Sequence, residues 1–203
     1  MTPKTLAPHQ PEGDPKVTYG PDPNAPAKFF VSYAWGDTDN PDRARIVDDF
    51  CERAAAEGTL IRRDKNEIAF GNSISEFMDK LVQGDRILIV LTEKYLHSVP
   101  CMTELYQIWH HAGHNSGEFF EKVRLFTAEG TEIFDSVGRA LIGKHWAKEY
   151  DRQKPFLEYM GDKDRVAHNR LQRFYTHVPD ILEAIADKLQ PRSLDDLVTY
   201  ALE

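Results

Sequence analysis

The run Ile87-Leu88-Ile89-Val90-Leu91 is the feature that most constrains the fold of this chain. Five consecutive aliphatic residues without polar alternation fit a strand covered on both faces, as in the middle of a parallel sheet. The run is the longest unbroken aliphatic stretch in the sequence and is far too short to cross a bilayer. Gly84 and Asp85-Arg86 precede it, and the helical pattern SVPCMTELYQIWHHAG of residues 98–113 follows it.

A buried parallel strand needs partners, and the flanking sequence supplies them. Phe29-Phe30-Val31 and Leu60-Ile61 are β-prone runs before it, and Val123–Phe126 is one after it. Between them lie helical patterns. Asn40 before Pro41 reads as an N-cap followed by proline at the first helical position, with Val47, Phe50, Cys51 and Ala54 on one face and Gly58 as a stop. Ser73 and Glu76 form a capping box ahead of Ile74, Phe77, Met78 and Leu81. The alternation predicts a doubly wound α/β fold, a flavodoxin-like parallel sheet with helices on both faces and extra C-terminal helices. For those extra helices the pattern predicts one through Phe134–Leu141, one marked by Leu171, Phe174 and Tyr175, and a further one starting at Pro179. Residues 1–27 hold seven of the twelve prolines and read as a flexible leader. Residues 28–190 form the domain, and residues 191–203 read as a tail or a lead into a neighbouring domain.

Ligands of such sheets collect beyond the carboxyl ends of the strands, so the loops 32–40, 64–72 and 92–100 are the ones to inspect. Glu104 falls at the edge of the apolar face formed by Cys101, Leu105, Ile108 and Ala112, about two turns into its helix. A carboxylate there borders either a cleft or solvent; a boundary glutamate that meets an arginine is the plainer alternative. Trp35 lies in the first of these loops, where a large aromatic more commonly covers the sheet end, and Phe70-Gly71 lies in the second, as a lid tip or simply a hydrophobic anchor before the capping box. His111 and His114 have a spacing that could hold a metal, but there is no H-E-x-x-H and no paired C-x-x-C, and a polar helix end is the expected reading; no metal site is expected. Cys51 and Cys101 are the only cysteines and read as reduced thiols of a cytoplasmic protein without a signal peptide. The formal charge of −8 argues against phosphate-gripping partners such as nucleic acid or an anionic membrane surface. No phosphate-binding G-x-x-x-x-G-K-[ST], dinucleotide G-x-G-x-x-G or nucleophile-elbow G-x-S-x-G motif is present.

The order of these pieces resembles the TIR (Toll/interleukin-1 receptor homology) domain. FFVSYAWGD is similar to its first-strand signature, RRDKNEIAFGNSI to its second strand and BB loop, and DRILIVLTEKYLHSVPCMTEL to its third strand and S-x-W-C-x-x-E-L stretch. The likeness covers roughly residues 28–150 and extends more weakly to 190. It implies that Glu104, the glutamate of C-x-x-E-L, is the catalytic residue of an NAD+-cleaving enzyme of the prokaryotic type. Trp146, in GKHWAKEY, would then line the substrate cleft, with Tyr33 and Trp35 at its border and Phe70 as the BB-loop aromatic. NAD+ would be the substrate, with no resident cofactor. Self-association through contacts including the BB loop 64–72 would complete the site, under a fused or separate sensor. Two positions depart from the pattern: Pro100 replaces the usual tryptophan, and Ala34-Trp35 stands where a basic residue often follows S-Y. A non-enzymatic TIR adaptor is the main alternative. A nucleoside deoxyribosyltransferase-like enzyme and a response-regulator receiver are more distant ones.

Overall fold

A computed structural model describes residues 27–35, 41–63 and 80–202. The elements follow in the order β1 (Phe29–Tyr33), α1 (Pro41–Ala56), β2 (Ile61–Arg63), β3 (Arg86–Leu91), α2 (Glu93–Leu96), α3 (Val99–His111), α4 (Ser116–Lys122), β4 (Val123–Thr127), α5 (Ser136–Gln153), α6 (Asp162–Ala186) and α7 (Leu194–Leu202). The four strands form an all-parallel sheet in the order β2-β1-β3-β4. The Asn40 cap, the Ser73/Glu76 capping box, Phe70, the BB loop 64–72 and residues 1–26 of the leader lie outside the described residues.

The aliphatic run occupies the strand expected of it. β3 pairs with β1 on one side and β4 on the other, and Ile87 through Leu91 are all buried. Its side chains alternate between two cores, as a pleated strand requires. Ile87, Ile89 and Leu91 join Phe30 and the inward faces of α3, α5 and α6. Leu88 and Val90 join Val31, the Val47, Phe50 and Ala54 stripe of α1, and α7. Each such aliphatic side chain, fully buried, stabilises the fold by about 1.5–3 kcal/mol. After α1 the chain turns at Gly58, whose φ of 81° is costly for any residue with a Cβ. Pairing of the second strand begins only at Ile61, opposite Phe29, and Leu60 is exposed.

Three C-terminal expectations change. The helix predicted through Phe134–Leu141 starts at Ser136, capped by Asp135, and runs on to Gln153. Gly138, Ile142 and Trp146 recur every four residues on its buried side, so the packing that starts the helix also continues it. Pro179 does not begin a new helix: it lies inside α6. The buried stripe Leu171, Phe174, Val178, Ile181, Leu182 and Ile185 runs through the proline without a change of face. Packing on both sides thus outweighs the one backbone hydrogen bond that proline removes. Residues 191–203, expected to be a tail or a lead, contain α7. Leu197, Val198 and Ala201 of that helix are buried in the same core as Val31 and Phe50. No helix among the described residues is long and apolar enough to cross a membrane.

Candidate functional site

The strand order reverses direction between β1 and β3: β2 lies outside β1, and β4 outside β3. The crevice at such a point, beyond the carboxyl ends of the strands, is where sheets of this kind take up ligands. Ser32 and Tyr33 end β1 opposite Ile89 and Val90 of β3. Two short helices then follow β3. Thr92 caps α2 by accepting the Tyr95 N–H at 3.0 Å. Ser98 caps α3, its hydroxyl accepting the Cys101 N–H. Pro100 lies in the first turn of α3, where a backbone N–H would lack an intrahelical partner anyway, so the departure from tryptophan leaves the helix start intact.

These two caps and the end of β1 bring three polar side chains together. Glu104 of α3 is only 6% exposed, Ser32 is 1% exposed and Tyr95 is fully buried. The Ser32 hydroxyl donates to Glu104 Oε2 at 2.6 Å, and Ser32 Oγ lies 2.9 Å from the Tyr95 hydroxyl. A serine has a single hydroxyl proton. With that proton directed at the carboxylate, the Tyr95 O–H donates to Ser32, giving a directional chain Tyr95 to Ser32 to Glu104. The 2.6 Å separation falls in the range of hydroxyl-to-carboxylate bonds strengthened by charge. Such a donor offsets part of the hydration that a buried carboxylate loses.

Cys101, one turn before Glu104, is buried, and its thiol donates weakly to the Tyr33 carbonyl at 3.8 Å. This contact ties the first turn of α3 to the end of β1. Both cysteines are free thiols.

The residues singled out in the sequence are thus placed unequally. Glu104 accepts from Ser32, and Tyr33, the next residue and the last of β1, accepts from Cys101 of the same helix as Glu104. Trp35 follows β1 and is 51% exposed. Trp146, expected to line the cleft, is 1% exposed and sits in the hydrophobic core. Its indole packs edge-to-face on Phe174 at 4.6 Å, and Nε1–H donates to the Leu96 carbonyl at 2.9 Å. That bond holds the end of α2, the helix that carries Tyr95. Trp146 thus supports, from the core, the helix that carries Tyr95. Ser32 and Tyr95 are not singled out by the sequence, because only strand register and the Thr92 cap bring them into line with Glu104.

A cavity of about 610 Å³ lies elsewhere, at the carboxyl end of β4. Phe126, Phe134, Leu189 and Arg192 are among its walls, and Glu104 is not. The chemistry of the Glu104 cluster, not cavity volume, marks the candidate site. A carboxylate held in this way by two buried hydroxyls is suited to orienting a sugar hydroxyl and to stabilising nearby positive charge.

A search of curated proteins returned no match. The family model for the TIR domain matches residues 29–137, more than half of the chain and the whole of the sheet. The chain therefore belongs to the TIR domain family.

Proposed function

We propose that this TIR domain is an NAD+ glycohydrolase. It breaks the bond between nicotinamide and ribose, giving nicotinamide and ADP-ribose or a cyclic ADP-ribose isomer. The observation that supports this reading is the buried Glu104 carboxylate at the β1–β3 crevice, held by the Ser32 hydroxyl at 2.6 Å.

The chemistry asks for little acid. Nicotinamide in NAD+ is cationic, so it leaves as a neutral molecule with the electron pair of the broken C–N bond. Positive charge then develops on the ribose, as in glycoside hydrolysis. A carboxylate fixed beside the ribose hydroxyls orients them and stabilises that charge, and exclusion of water strengthens the effect. Water attack at the anomeric carbon gives ADP-ribose and releases one proton. Attack by a nucleophile of the same NAD+ molecule gives the cyclic product. Trp35, exposed past β1, would offer a face for stacking on an aromatic base. Self-association through contacts that include the loop 64–72 completes the site, in a prokaryotic defence or cell-suicide system responding to a sensor.

The second reading is a non-catalytic adaptor. It draws support from the enclosed Trp146 and from the engagement of Glu104 with Ser32, which equally suit a structural carboxylate. Chromatography of NAD+ incubated with concentrated protein separates the two. The enzyme releases nicotinamide, and Glu104→Ala does not. An adaptor releases none from either protein while still self-associating.

A further inference from the structure

We infer that His110 and His114 form a two-nitrogen chelate for a divalent transition-metal ion of the zinc, nickel or copper class. The pair lies at the C-terminal end of α3. His110 Nδ1 and His114 Nε2 face one another at 3.1 Å. Two imidazole nitrogens bound to one tetrahedral zinc stand roughly 3.3 Å apart, given metal–nitrogen bonds of about 2.0–2.1 Å. The observed spacing needs only a few tenths of an ångström of adjustment. One ring donates its N–H to the other; on metal binding that proton moves through solvent to the other nitrogen of the same ring, so that both facing nitrogens present lone pairs to the ion.

The backbone is bent to make this meeting. α3 ends with the Gly113 N–H donating to the His110 carbonyl and the His114 N–H donating to that of Trp109. This reverse-turn ending asks for a left-handed residue at one position, and Gly113 supplies it with φ of 59°. His114 adopts the same conformation, φ 60°, without the freedom of glycine, and is the one non-glycine residue with positive φ among those described. Strained backbone of this kind collects where a side chain must be aimed.

Neighbouring rings then fix both imidazoles. Tyr106 stacks on His110 at 5.8 Å and on His177 of α6 at 5.6 Å, and the His114 and His177 rings are 4.4 Å apart. His111, which the sequence had paired with His114, instead directs Nδ1 to the Gln107 carbonyl. Among the described residues no group of three or more histidine, cysteine or acidic side chains is arranged to hold an ion. The chelate is therefore open, with water filling the remaining positions. Both histidines are exposed, so an ion can reach them.

The test uses the full chain without a histidine tag, titrated calorimetrically with zinc chloride and nickel chloride in a non-coordinating buffer. The chelate predicts one saturable equivalent. His110→Gln and His114→Asn should each weaken it at least tenfold, whereas His111→Gln and His97→Gln leave it unchanged. Asparagine tolerates the left-handed backbone at position 114, and position 110 is an exposed helix site where glutamine keeps the fold. Bound Cu2+ should show the paramagnetic-resonance signature of two nitrogen ligands. No saturable binding by the wild type, or unchanged affinity in His110→Gln, overturns the inference. Neither result depends on NAD+ cleavage.

Discussion

Ser32 of β1 donates its hydroxyl to Glu104 of α3 across 2.6 Å, joining two residues separated by 72 positions in sequence. The bond exists because the parallel sheet brings the end of β1 beside β3, and α3 then folds back over β1. It converts a carboxylate on an otherwise apolar helix face into a fixed group at a strand end.

Removing that donor should weaken the fold and, on the proposed NAD+ cleavage, lower nicotinamide release as well. Ser32→Ala leaves the buried carboxylate without one partner, which costs about 1–3 kcal/mol of stability. Tyr95→Phe removes the donor behind Ser32 and should cost less, because the serine still reaches Glu104. Urea denaturation of both single variants and the double variant checks this. A shared network predicts that the two losses fall short of additive, whereas strictly additive losses would separate Tyr95 from the chain.

Trp146→Ala should destabilise the protein by about 3–5 kcal/mol, the usual loss when a large buried aromatic is deleted. Trp146→Phe keeps most of the packing against Phe174 but loses the Nε1–H to Leu96 bond, for a cost of about 1 kcal/mol. Denaturation midpoints together with NAD+ turnover distinguish a brace from a substrate contact. A brace predicts that turnover in Trp146→Phe falls no more than loosening of α2 explains. A stable Trp146→Ala protein would contradict the buried placement.

Burial holds the His145 imidazole below its ordinary value of 6.5, and nearby His97 lowers it further. Lys148 acts in the same direction, while Glu149 and Glu93 oppose it. Because the folded value is the lower one, the unfolded chain binds this proton more readily. Stability should therefore fall as pH drops through 6.5 and level off below the folded value. The lowered Glu149 carboxyl, hydrogen-bonded to Arg152, contributes in a separate window below its ordinary 4.5. Urea denaturation between about pH 8 and about pH 5.5 should show the His145 slope, and His145→Gln should flatten it. The same slope in both proteins would assign it to another group.

Much of the sheet was legible because its signals are local. Ile87–Leu91 lacks alternation, and that alone called for two cores; the structure supplies one on each face. Glu104 was legible as a carboxylate at the edge of an apolar helix face. Pro179 was misleading, since a proline reads as a helix start unless the stripe through Val178 and Ile181 is known to pack continuously. The burial of Trp146 was equally hidden: its segment looks polar, and only the four-residue rhythm from Gly138 through Ile142 turns it inward. Ser32 and Tyr95 gave no signal of their own. Their roles depend on strand register and on the cap at Thr92, which place two unremarkable hydroxyls in line with one carboxylate.

The central claim rests on the charge of Glu104, and Glu104→Gln tests it most directly. The amide keeps the shape and can still accept from Ser32, but it carries no negative charge. With wild type and variant matched for circular dichroism and for self-association, the enzymatic account predicts nicotinamide release from NAD+ by the wild type and a loss of at least about 100-fold in the variant, the scale of one removed transition-state contact. Equal release by both proteins, or none by an assembled wild type, would contradict it.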